Sequence, residues 1–343
     1  MAITRHFPLR SLAVGLTAGI ALGAAPNGAR AVDTHVCSET ASLQLTACKY
    51  GVRDDYFAAQ AICENVAGDA AQDECDAAAL ETRNEENLLC AEQRTARLAL
   101  CAELGGVRYD SNFLPALFDD PKHPSHPNPY FPLRVGSRWQ YEGGGESITV
   151  EVLDETKRIE GVDCITVHDF VRVGGAVEED TDDWYGQRKS GTVDYCGEIS
   201  QSFESFAGDA PPLPELVHVE GSWKAGREGA QPGTALLGAP RVGKVYRQEF
   251  APGTAEDAAR VLSTSYRYGR DAQLDAHVPQ ALAELLCSAG DCLVIGEFTP
   301  VEPDAFGLKF YARGVGLFLE VDPASGAVVQ LVDCNVDMKC SSL

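Results

Sequence analysis

CSETASLQLTACKYGVRDDYFAAQAICENVAGDAAQDECDAAALETRNEENLLCAEQRTARLALC, residues 37 to 101, is the stretch on which the architecture turns. Its six cysteines, Cys37, Cys48, Cys63, Cys75, Cys90 and Cys101, are mirror-symmetric about position 69. On a helix, a step of eleven residues returns a side chain to within about 20° of its direction, and a step of fifteen to within about 60°. Two antiparallel helices joined near residue 69 therefore bring the cysteines together as three rungs: Cys37 with Cys101, Cys48 with Cys90, and Cys63 with Cys75. Helix formers such as Ala58-Ala59-Gln60-Ala61 and Ala77-Ala78-Ala79-Leu80-Glu81 fill the intervals. Gly68 marks the turn, Asp69 with Gln72 reads as a capping box, and Gly105-Gly106 ends the second helix. Gly51 falls inside the first helix. Three shorter helices with another pairing are the bland alternative.

The N-terminus explains the cysteine usage. Arg5 and Arg10 precede an apolar run from Ser11 to Ala25, and Ala29-Arg30-Ala31 is a small-residue cleavage site, so residues 1–31 read as a secretory signal peptide. The apolar run is too short to span a bilayer, and Thr34-His35-Val36 before Cys37 lacks the pattern of a lipidated cysteine. The expectation is a secreted or periplasmic protein with no membrane anchor, whose twelve cysteines form disulfides. Cleavage would remove three arginines and no acid, making the formal charge of −23 three units more negative. Such a field repels phosphate backbones, so no nucleic acid is expected as a partner.

Four segments follow: the signal peptide at 1–31, the disulfide-stapled helical hairpin at 32–109, a proline-rich linker at 110–130, and an antiparallel β domain at 131–343. Pro115, Pro121, Pro124, Pro127 and Pro129 make the linker an extended connector. His123 and His126 lie in it, but two histidines alone do not make a metal site. Alternating runs such as Ser147–Val152 and Cys164–His168, with Gly174-Gly175 and Ser190-Gly191 as tight hairpin turns, predict an antiparallel β-sandwich or lipocalin-like barrel. One helix is expected from Pro279 to Cys287. The fold class is thus α+β. Arg134-Val135-Gly136 recurs as Arg241-Val242-Gly243, with Trp139 aligned to Tyr246, which suggests duplication with Val135 and the aromatic residue on one side. Cys287 with Cys292 and Cys334 with Cys340 are close enough for local loops. If both glycine turns are two-residue hairpins, Cys164 and Cys196 stand two strands apart, about 9.6 Å, beyond disulfide reach.

Several stretches of the β region carry a resemblance. Asn128-Pro129-Tyr130-Phe131-Pro132-Leu133 with Gly136 and Trp139, Glu179-Asp180-Thr181 with Asp183-Trp184-Tyr185, Gly221-Ser222-Trp223, Tyr246-Arg247-Gln248-Glu249, Ala255-Glu256-Asp257 and the Tyr311–Gly316 run are of this kind. Over residues 128 to about 322 the chain resembles a group of uncharacterised secreted bacterial proteins. The resemblance implies a shared fold and export, and no activity. Those proteins have an aromatic residue near position 196, where this chain has Cys196.

Most catalytic signatures are absent: there is no Gly-x-Ser-x-Gly elbow, His-Glu-x-x-His, Walker loop or Cys-x-x-Cys. Gly314-Val315-Gly316 reads as a turn. His168-Asp169 and His218 with Ser222 are the only triad-like material. The notable polar constellation is Glu178-Glu179-Asp180-Thr181-Asp182-Asp183-Trp184-Tyr185. On a strand, Glu179, Thr181 and Asp183 share one face and Asp180, Asp182 and Trp184 the other. Three readings stand. The carboxylates hold Ca²⁺, though the run fails the EF-hand pattern. Or they work as general acid and base with Glu249 or Glu297 beside an aromatic platform. Or they are a solvated face that discourages aggregation. The candidate ligand-binding residues are therefore Glu179, Asp180, Asp182, Asp183, Trp184, Tyr185 and Glu249. No metal or other cofactor is assigned beyond Ca²⁺. The leading function is a non-catalytic binding or structural protein with a small molecule, a glycan or a protein as its partner. The alternative is a hydrolase or lyase built on the carboxylates around Asp180–Tyr185.

Overall fold

The computed structural model describes residues 34–343, so the expected signal segment lies outside the described residues. The chain forms two compact units divided between Tyr109 and Asp110.

The first unit is the helical hairpin. Helix α1 (Val36–Cys63) and helix α2 (Asp69–Leu104) are joined by a short turn. Three disulfides link them, Cys37–Cys101, Cys48–Cys90 and Cys63–Cys75, with Cα separations of 5.8, 5.8 and 5.5 Å. Few apolar side chains are buried along the helices: Ala41, Val52, Ala79 and Leu100 besides cysteines. Two amphipathic rods with so thin a seam owe much of their stability to the bridges, which restrict the unfolded chain. The capping differs from expectation. Gly68, at φ 96°, is itself the N-cap and makes no side-chain cap, so Asp69 is the first helical residue, an acid at the positive end of the dipole.

The second unit is a nearly closed antiparallel barrel. Its elements are β1 (Arg138–Gly143), β2 (Glu146–Ile159), β3 (Val162–Val173), β4 (Ala176–Gln187), β5 (Val193–Glu204), β6 (Glu215–His218), β7 (Trp223–Lys224), β8 (Gln231–Leu236), β9 (Val245–Arg247), β10 (Glu249–Phe250) and β11 (Ala258–Tyr266). Helix α3 (Gln280–Cys287) and strands β12 (Cys292–Thr299), β13 (Glu302–Ala312), β14 (Gly316–Val321) and β15 (Val328–Cys334) complete it. The strand order is β10-β8-β5-β4-β3-β2-β1-β15-β14-β13-β12-β11-β9, with β6 and β7 added on β5. The two end strands are consecutive in the chain and separated by Gln248 alone, so residues 245–250 close the sheet on itself. Gln248 N and Glu249 N both donate to Asp257 O, 2.7 and 3.1 Å away, at this seam. Closure leaves few edges open to further pairing.

Residues 110–130 belong to this unit and do not act as a free connector. Phe118 is buried and bridges to Arg188, Asp119 N donates to Gln187 O at 3.0 Å, and Lys189 N donates to Leu117 O at 2.9 Å. The prolines dispense with donors, while the aromatic residues between them find apolar cover. Asn128 is buried as well, and its Nδ2 donates to Gly191 O at 2.9 Å and Leu237 O at 3.2 Å.

The two Arg-Val-Gly copies make the same turn. Gly136 N donates to Val152 O and Gly243 N to Val261 O, both at 2.8 Å, and Ser137 N and Lys244 N each reach back to the arginine carbonyl. The shared-side expectation is overturned: Val135 and Val242 are 37% and 65% exposed, whereas Trp139 and Tyr246 are buried. The turn ends before the strand begins, so period-two alternation does not connect the two positions.

Cys164 and Cys196 are bonded, with Cα atoms 6.8 Å apart. Two features bring them within reach. The loop between β4 and β5 spans residues 188–192, longer than a two-residue hairpin, and Trp184 pairs with Gly197 while Tyr185 pairs with Tyr195. Cys196 is the extra residue of a β-bulge, released from the ladder to turn toward β3. Cys287–Cys292 and Cys334–Cys340 close short loops. Gly174-Gly175 forms the two-residue connection between β3 and β4, with Val173 paired to Ala176.

Candidate functional site

A cavity of about 210 Å³ lies within the barrel unit. Strand alternation supplies its wall: Trp139 and Tyr141 from β1, Ile148, Val150 and Val152 from β2, Val167 and Asp169 from β3, and Asp183 and Tyr185 from β4. Lys309 and Tyr311 from β13, Glu320 from β14 and Val329 from β15 face them. Tyr130, Phe131, Pro132 and Leu133 also line it, and the Phe131 ring packs against Tyr185 with centroids 5.0 Å apart. Helix α3 buries Ala283 and Leu286 in the same core as Phe310 and Phe318, and Phe310 takes the opposite parity on β13 from Lys309 and Tyr311.

The acidic run divides between the two faces of β4. Glu179, Thr181, Asp183 and Tyr185 share one parity, and Thr181 Oγ1 donates to Glu179 Oε1 at 2.7 Å. Asp180 and Asp182 lie with His168, whose Nδ1 is 3.7 and 3.1 Å from their Oδ1 atoms. Trp184 shares their parity, buried beneath the Lys157 ammonium 3.6 Å above its ring. Asp183, Tyr185 and Glu179 are thus brought together, and Asp180, Asp182 and Trp184 are separated from them. Glu249 is buried where Trp223 Nε1 donates to its Oε1 at 3.2 Å, and burial, with the charges of Asp257, Glu198 and Asp183, raises its pKa.

Asp183 accepts a hydrogen bond from Tyr195, whose hydroxyl also lies 2.8 Å from Glu198 Oε2. One hydroxyl proton serves only one carboxylate, so the second oxygen is satisfied when one of the two acids is protonated. Burial pushes both up, Asp183 to about 6 and Glu198 to about 8, and their mutual repulsion adds to the rise of Glu198. The bulge at Cys196 is what lets Tyr195 and Glu198, three apart, share a face.

Asp169 differs. Its Oδ1 is enclosed and has no hydrogen-bond partner. Burial raises it to about 8, helped by Asp183, Glu179 and Glu320 and opposed by Lys309. Asp183 rises less because Tyr195 and Tyr185 donate to it. Lys309 Nζ lies 2.7 Å from Glu297 Oε2 and 3.6 Å from Glu320 Oε1. Burial acts to lower its pKa, but these two carboxylates outweigh it and hold the ammonium charged.

Sequence reasoning missed Asp169, Lys309, Glu320, Tyr141 and Tyr311 as cavity residues. A signal for Asp169 was present: in Ile165, Val167, Asp169 and Val171 an acid interrupts the apolar parity of β3. The triad-like material does not assemble. His168 and Asp169 take opposite faces, and the Ser222 hydroxyl accepts from Ser200 N at 2.9 Å and donates to Ser200 O at 3.1 Å. Among the described residues, no three His, Cys, Asp or Glu side chains are placed to hold a metal ion. Compared with protein-family models, with curated proteins and with solved structures, the chain matches none of them.

Proposed function

We propose that the barrel unit is a non-catalytic binding module that encloses a small molecule in its interior, and that the chain works outside the cytoplasm, secreted or in the periplasm. One observation carries the reading: an apolar and aromatic cavity of about 210 Å³ with Asp169 in its wall, one of whose carboxyl oxygens has no hydrogen-bond partner. Folded proteins pair nearly all such atoms, and an apolar pocket with a few convergent polar groups is the usual form of a ligand site. The signal-like segment at 1–31 and the use of all twelve cysteines in six bridges support export to an oxidising compartment. The hairpin then serves as a braced spacer or partner arm. Titration with neutral compounds of matching size, followed by the fluorescence of the cavity-lining Trp139, tests the module. Saturable binding is expected in the native chain and none in Val167→Trp, which fills the cavity. Binding that survives this substitution overturns the proposal.

The unequal acidities of Asp169 and Asp183 favour a second reading as a hydrolase or lyase. One carboxyl protonated and one ionised near neutral pH are an acid and a base ready for use. Turnover of small chromogenic glycosides or esters that disappears in Asp183→Asn would favour it, and binding without turnover would leave the binding module.

A further inference from the structure

We infer that the ligand of the barrel interior is a small protonated amine, its ammonium seated at Asp169 and its apolar part against the neighbouring rings. This rests on the interior being a binding site at all. Three observations give the cavity a preference for positive charge. First, Asp169 Oδ1 lacks a donor, and an ammonium supplies several. Second, the groups facing Asp169 are predominantly acidic. Strand β4 presents Glu179, Asp183 and the phenol of Tyr185, β1 the phenol of Tyr141, β14 Glu320 and β13 Lys309. Strand β2, paired on the other side, presents apolar Val150 directly opposite. Lys309 is the one cation among the described cavity-lining residues, and Glu297 and Glu320 already hold it. An anionic ligand would therefore meet carboxylates and a cation already engaged. Third, the polar tips of two wall aromatics are tied to backbone. Trp139 Nε1 donates to Val315 O at 2.7 Å and Tyr141 Oη to Leu317 O at 3.1 Å. What remains for a ligand is their ring surface, which attracts cations.

The pairing has a proton signature. Burial keeps Asp169 largely protonated at neutral pH, with its folded value near 8. An ammonium beside it favours the carboxylate, so binding expels that proton; about 0.9 proton is released at pH 7 for a group titrating near 8. A neutral ligand requires no such release.

Benzylamine, benzyl alcohol and benzoate, alike in size, separate the outcomes in calorimetric titrations of the full chain. Benzylamine is expected to bind at least tenfold more tightly than the alcohol at pH 7.5, to weaken as pH falls toward 5.5, and to release a proton measurable in buffers of different ionisation enthalpy. Asp169→Asn should remove the preference for the amine while retaining the alcohol. Equal affinities, a preference for benzoate, amine binding without proton release, or an unaltered preference in Asp169→Asn would each overturn the inference while leaving the binding module standing. Failure of all three probes to bind would overturn both. The proton measurement on the native chain decides the matter even if the variant does not fold.

Discussion

Tyr195 and Glu198 are three residues apart on one strand and yet the Tyr195 hydroxyl reaches the Glu198 carboxylate as well as Asp183, which a regular strand forbids. The bulge at Cys196 resolves this and supplies the Cys164 bridge with the same extra residue. Nothing in a period-two pattern marks where a bulge falls, so neither the bridge nor the Tyr195 network was legible in the sequence. The division of Glu179 and Asp183 from Asp180 and Asp182 was legible, because alternation alone decides it. Removing the Tyr195 hydroxyl by Tyr195→Phe leaves Asp183 without one of its two donors. The expected cost is about 1–3 kcal/mol at pH 7.5, where the carboxylate is charged. At pH 5 Asp183 is largely protonated and the cost should be smaller. Urea unfolding at both pH values checks this, and an equal cost at each would refute a charge-dependent role.

Among elements, the hairpin was the most legible, since helical geometry and six cysteine positions determine which residues can meet. Gly68 was placed correctly at the turn, but the N-cap role assigned to Asp69 went to the glycine, because a cap depends on backbone angles that spacing does not encode. Reduction should therefore act unequally. With so few apolar side chains buried between α1 and α2, loss of the three bridges is expected to collapse much of the helical signal at 222 nm well before the β signal changes, as circular dichroism against reductant would record. The repeated Arg-Val-Gly turns make a second, sharper case. Gly136 and Gly243 have φ of 80° and 81°, and a Cβ at either would touch nothing within 4 Å. Gly136→Ala and Gly243→Ala should thus cost about 1–2 kcal/mol each through backbone strain alone, and should cost the same. A clear inequality in their unfolding midpoints would mean that the two turns are not structural equivalents.

At the scale of the whole molecule, the barrel interior holds an unusual store of carboxyl groups that prefer to be neutral. Asp169 and Glu198 are raised to about 8 and Asp183 to about 6, with Glu249 and Asp257 raised as well, all chiefly by burial. A carboxyl whose folded value exceeds its unfolded value stabilises the fold below about pH 4, and that contribution is lost as pH rises through the folded value. For these groups the loss runs from about pH 4 to 8. The surface acids Asp119, Asp163 and Asp322, the first two partly covered, act the other way, since hydrogen bonds lower them and their contribution disappears only as pH falls below about 4. The net charge of −23 adds self-repulsion in the same direction as the interior acids. Calorimetric melting of the full chain should therefore show the barrel most stable near pH 5 and losing several degrees of Tm by pH 8.5, given that about 1 kcal/mol moves Tm by roughly 2–4 °C in a unit of this size. A saturating amine should offset part of that loss at the alkaline end, where Asp169 is ionised and has gained its partner, and should do little at pH 5. A melting temperature that climbed steadily from pH 5 to 8.5 without ligand would mean that the interior carboxyls are charged and solvated. The acidic wall would then lose its claim to be a desolvated site.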